Sequence, residues 1–142
     1  MHNRAVNIST HAFAFSTAAD PGQVWAALTD GDLTRRYLHG LAAESAWAPG
    51  SRLVLRAAGV PAATGEVLAA EPGARLSLAI EGGHGADTYL TWTIRRGAGG
   101  SVVRLVVDEP DGGGEADEAE VEDVWLPVLA DLHALLAGAE VR

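Results

Sequence analysis

From Leu41 to Glu109 the chain is cut into short runs in which apolar residues recur at every second position, each run closed by a turn signal. The signals are Pro49-Gly50, Gly59-Val60-Pro61, Pro72-Gly73, Gly82-Gly83-His84-Gly85 and Gly97-Ala98-Gly99-Gly100. Period-two alternation is the mark of a strand with one buried face, and glycine and proline clusters supply the turns between strands. Connections this short leave no room for a parallel crossover, so neighbouring strands must run antiparallel. Leu53 and Leu55 alternate with arginines. Leu90, Trp92 and Ile94 alternate with Tyr89, Thr91 and Thr93, and Val103, Leu105 and Val107 form a further row. One face of a large antiparallel sheet is therefore apolar and must be covered.

The cover is the last segment. Val121, Trp125, Leu129, Leu132 and Leu136 are spaced by three or four residues, the stripe of a helix of about four turns. Pro127 lies inside that stripe and predicts either a kink or the point where an irregular lead-in becomes regular helix. Gly112 to Gly114 reads as a flexible joint ahead of it. At the other end, Ile8 to Ser16 puts Phe13 and Phe15 on one parity and alanines on the other, as in a strand. Asp20-Pro21 is then an N-cap followed by proline at the first helical position, opening a helix with Val24, Trp25 and Leu28 that ends near Asp30-Gly31. A second short helix carries Leu33 and Tyr37 and stops at Gly40.

This order (strand, two short helices, several antiparallel strands, long C-terminal helix) resembles the helix-grip fold of the SRPBCC superfamily, which includes START lipid-binding domains, the birch-pollen-allergen group and polyketide cyclases. The local wording is similar to the branch of heat-shock-protein ATPase activator homologues. The matching pieces are Asp20-Pro21 through Val24-Trp25-Ala26-Ala27-Leu28-Thr29-Asp30, Trp47-Ala48-Pro49-Gly50-Ser51, Gly65-Glu66-Val67 with Glu71-Pro72 and Arg75-Leu76, and Trp125 with Leu129 and Leu132. The resemblance implies an α+β fold in which a curved antiparallel sheet and the long C-terminal helix enclose a cavity. It implies no universal catalytic set. The length of 142 residues suits a single domain over residues 1–142.

Composition removes several chemistries. Without cysteine there is no thiolate nucleophile, disulfide or thiolate metal site. Without lysine, since all ten basic residues are arginine, no side-chain amine is available for a Schiff base. The net charge is −9, with nine acids between Asp108 and Asp123 and no base among them. A negative field of this kind disfavours nucleic acid and anionic membrane as partners. No apolar run approaches a membrane span, and Met1 to Thr10 has no apolar signal core, so a cytoplasmic location is expected. The acids do not follow the order of a calcium loop, and the five histidines have no ligand-pair spacing, so no metal and no cofactor are expected. The acidic run reads as a mobile, solvated element beside the pocket opening.

The candidate site is the space between sheet and helix. Parity and the resemblance together predict a lining of Phe13, Tyr37, Leu90, Trp92, Leu105, Val107, Trp125 and Leu129. Trp92 from the sheet and Trp125 from the helix are expected to share one cavity. His39, closing the second helix, and Glu109, ending the last strand, are expected at its mouth as candidate catalytic acid and base, with His11 on the face of Phe13 as a weaker candidate. The leading expectation is binding of a small apolar or aromatic molecule by a monomer or homodimer. A cofactor-independent enzyme of the cyclase, dehydratase or isomerase kind is the second. A protein-interaction module of the heat-shock ATPase activator type is the third.

Overall fold

The computed structural model describes residues 8–81, 87–110 and 117–138, with the side chains of Ile8, Pro110 and residues 117–120 left aside. The elements are β1 (Ile8–Thr17), α1 (Pro21–Thr29), α2 (Gly31–Tyr37), β2 (Leu41–Ser45), β3 (Arg52–Ala57), β4 (Val60–Glu71), β5 (Arg75–Ile80), β6 (Thr88–Gly97), β7 (Gly100–Pro110) and α3 (Asp117–Gly138). The seven strands form one antiparallel sheet in the order β1-β7-β6-β5-β4-β3-β2. Consecutive strands from β2 to β7 are neighbours, as their short turns require. Only β1, separated from β2 by the two helices, returns to the far edge. This is an α+β helix-grip fold.

The alternation along each strand appears directly as burial. Leu90, Trp92 and Ile94 on β6 are buried opposite Leu78, Leu76 and the inward row of β7, while Tyr89, Arg95 and Arg96 are exposed. Register keeps the rows together: Phe13 pairs with Leu105 and His11 with Val107, so β1, β7 and β6 share one inner face. Over that face lies α3, whose Val121, Trp125, Val128, Leu129 and Leu132 are buried. Leu132 and Val128, together with Leu105 and Val107, are the least exposed part of this layer.

Bending of the sheet is concentrated on β4. Its register slips once against β3, where Ala62 is the extra residue, and once against β5, where Leu68 is. Each bulge adds one unpaired residue and sharpens the local twist, which curls the β2–β4 end toward the helices. Gly65 lies between the bulges, and a Cβ there would stand 2.0 Å from the Ala79 carbonyl oxygen, so no side chain fits at this turn of the sheet.

The caps read from sequence are present. Asp20 accepts from the Gln23 amide while the Gln23 side chain accepts from the Asp20 amide, a complete capping box, with Pro21 in the first turn. Asp30 ends α1 and caps α2 by accepting from the Asp32 amide. One expectation is narrowed and one corrected. Pro127 sits well inside α3, which is already regular from Asp117, so it does not mark the start of the helix; its missing N–H falls on an exposed position. The Gly59-Val60-Pro61 turn is instead Ala58-Gly59, both at positive φ, and Pro61 lies in β4. There it pairs with Arg56 alone, because the β5 ladder begins only at Gly65, so the missing donor is harmless. The Gly82–Gly85 turn, the Gly112–Gly114 joint and the core of the acidic run lie outside the described residues.

Candidate functional site

A cavity of about 230 Å³ lies between the inner sheet face, α2 and the first half of α3. Leu53, Leu78, Leu90 and Trp92 form its floor, one residue from each of β3 and β5 and two from β6. Trp125 and Val124 of α3 form the roof, and Thr34 and Tyr37 of α2 one side. Its rim includes His39 and Val124, which are exposed, and Trp47, which is half-buried.

The walls are overwhelmingly apolar, and the two hydroxyls within them are already engaged. Thr34 is buried; its Oγ1 accepts from the Ala43 amide at 2.9 Å and lies 3.1 Å from the Leu41 carbonyl, to which it donates. The Tyr37 hydroxyl donates to the Ala27 carbonyl at 2.8 Å. Burial pushes the Tyr37 phenol well above its ordinary range, because the phenolate would lose its hydration there, and the residue stays protonated. The imidazole of His39 has no hydrogen-bond partner among the described residues and is the one ionisable side chain on the wall besides Tyr37.

The predicted lining separates into three groups. Tyr37, Leu90, Trp92 and Trp125 line the cavity, and Trp92 and Trp125 meet it from sheet and helix. Leu105 and Val107 are wholly buried beneath α3, in packed core rather than at a free surface. Phe13 and Leu129 border a separate open groove between β1 and α3, where Phe15 also stacks against His133 with ring centres 4.9 Å apart. Parity placed these four on the correct face. It could not tell which part of that face α3 leaves uncovered.

Of the polar candidates, His39 is on the rim. Glu109 is not on the wall: it pairs with Ser9 of β1, one residue past the end of the β6–β7 ladder at Asp108, while His39 belongs to the α2–β2 end of the sheet. His11 lies on the inner face of β1, and its Nε2 is buried with no partner among the described residues, away from the cavity. Residues not foreseen on the wall include Trp47, Thr34, Ala63 and Val124. Only Trp47 carried any signal, as an aromatic next to a turn. Among the described residues, no cluster of three or more histidine or acidic side chains is placed to hold a metal ion, and no helix is long and apolar enough to cross a membrane.

Solved structures share this architecture. Protein MLL2253 from Mesorhizobium loti superposes with a TM-score of 0.77 at 22% identity, covering 90% of this chain and 96% of that one. The Aha1 dimer from Colwellia psychrerythraea gives 0.75 at 16% identity over 93% and 98% of the two chains. CalU16 from Micromonospora echinospora gives 0.73 at 18% identity over 96% and 88%. No curated protein matches the chain. Residues 18–137, from the capping aspartate's loop to the last turn of α3, match the family described as Activator of Hsp90 ATPase homolog 1-like protein, and the chain belongs to that family, a branch of the SRPBCC superfamily.

Proposed function

We propose that this protein binds a small, largely apolar, aromatic-containing molecule in the cavity between the sheet and α3. The observation that carries the reading is a wall of aliphatic and aromatic side chains whose internal hydroxyls, on Thr34 and Tyr37, are both committed to backbone partners. Apolar pockets with few polar groups are the usual small-molecule sites. A dry cavity of roughly 150 Å³ takes up benzene; one of about 230 Å³ has room for a substituted or fused ring system.

A cyclase- or isomerase-like reaction would need a group to move protons. Tyr37 is held neutral and bonded, and Glu109 lies off the wall, so that chemistry would fall to His39 alone. Binding without turnover is the simpler assignment. One sheet and one core across the described residues support reading residues 1–142 as a single domain.

The experiment is native mass spectrometry of the protein purified without heating, together with thermal melts in the presence of naphthalene. Retained apolar molecules, or a saturable rise in Tm that the cavity-filling variant Ala63→Phe abolishes, are the expected results. A Tm unmoved by naphthalene in a protein that retains no small molecule would refute the reading.

A further inference from the structure

Among the described residues, three that are not glycine have positive φ: His39, Trp47 and Ala58. Ala58 belongs to a hairpin turn, but His39 and Trp47 both line the cavity, at the two ends of the short edge strand β2. A left-handed backbone is uncommon outside glycine, less so for histidine than for tryptophan, and persists where surrounding contacts impose it, commonly around ligand sites. Those contacts are visible at both positions. His39 and Gly40 are the central residues of a turn closed by the Leu41 amide donating to the Leu38 carbonyl at 2.9 Å, and the Leu38 amide continues into α2 through the Thr34 carbonyl at 2.8 Å. The Trp47 amide donates to Ser45 Oγ at 3.0 Å, and Ser51 Oγ stands 3.0 Å from Ser45 Oγ and accepts from the Ala48 amide. Gly50 and Ser51 are in turn bonded to Val67 of β4 at 2.7 and 2.9 Å. The backbone that carries the imidazole and the indole is thus held at either end of β2, on the rim of an otherwise apolar hole.

Resting on the binding function above, we infer that His39 and Trp47 determine specificity, and that the ligand is an uncharged flat aromatic with one hydroxyl or carbonyl substituent. Its ring would pack against Trp47 and the deeper Trp92 and Trp125, and its oxygen would meet His39, which can donate or accept. Neutrality follows from the wall, which carries no arginine among the described residues, and from the net charge of −9, which disfavours anions.

The test is calorimetric titration of the full chain with naphthalene, 2-naphthol and 2-naphthoate. 2-Naphthol should bind about twofold to tenfold more tightly than naphthalene, the worth of one hydrogen bond at a partly wet site, and 2-naphthoate should bind most weakly. His39→Gly keeps the positive φ without strain and should abolish the preference, so that the variant binds 2-naphthol no more tightly than it binds naphthalene. Trp47→Gly should weaken both in equal proportion. Equal affinity for naphthalene and 2-naphthol, tightest binding of 2-naphthoate, or a 2-naphthol preference that survives His39→Gly would overturn the inference while leaving apolar binding intact. Failure of all three probes to bind would overturn the inference and count against the binding function itself.

Discussion

The Tyr37 hydroxyl donates to the backbone carbonyl of Ala27 at 2.8 Å, so a residue at the end of α2 satisfies a carbonyl in the last turn of α1. The end of a helix leaves such carbonyls without intrahelical donors, and here the supply comes from a side chain that also forms the cavity wall. Helix packing and pocket shape are coupled through this bond.

Tyr37→Phe should therefore destabilise by about 1–3 kcal/mol, the cost of leaving a buried acceptor unpaired. Because the folded-state pKa is raised from the ordinary 10.0, the folded chain keeps a proton that the unfolded chain loses. The associated stability is complete below about pH 10 and declines as pH rises above it. In a Tyr89→Phe background, absorbance at 295 nm should show no tyrosinate until circular dichroism reports unfolding. A tyrosinate band in the native protein would contradict the buried phenol.

Thr34 performs the same service between α2 and β2, accepting from the Ala43 amide. Thr34→Val keeps the shape and removes the hydroxyl, so a loss of about 1–3 kcal/mol is expected, with faster hydrogen exchange at Ala43. Thr34→Ser should recover most of both. Unchanged exchange at Ala43 in the valine variant would show that the hydroxyl does not hold β2.

Along α3, Leu132 is fully buried whereas Leu126 is 51% exposed. Urea melts of Leu132→Ala should show a loss of about 2–5 kcal/mol, and those of Leu126→Ala a change within about half a kilocalorie. Similar values for the two would mean that α3 is rotated relative to the sheet.

Gly65 and Gly22 make an opposed pair. A Cβ at Gly65 would collide with the Ala79 carbonyl, while at Gly22, in the first turn of α1, the nearest contact is 3.4 Å to Asp20 Oδ1. Gly65→Ala should lower Tm sharply or prevent folding. Gly22→Ala should leave Tm unchanged or raise it, by up to roughly 1 kcal/mol of helix propensity. A well-folded Gly65→Ala protein with wild-type Tm would show that the β4–β5 approach is looser than described.

Local patterns alone specified the antiparallel strand series, the inward rows on β6 and β7, the Asp20 cap and the apolar stripe of α3, because each is set by periods of two or about 3.6 residues and by residues adjacent in the chain. Joined to the family resemblance, they also pointed to Tyr37, His39, Leu90, Trp92 and Trp125, which line the space between sheet and helix. What parity cannot carry is distance across the sheet. Whether Leu105 and Val107 are packed core or pocket wall depends on where α3 crosses, which no local signal reveals, and Glu109 and His39 are separated by the whole β2–β7 series of strands. The two bulges on β4 left no pattern strong enough to read, yet they bend the strand whose Ala63, next to the first bulge, lines the cavity. The chain's alternation decided which residues face inward; the curvature of the assembled sheet and the seat of α3 decided which of those inward faces remain unfilled.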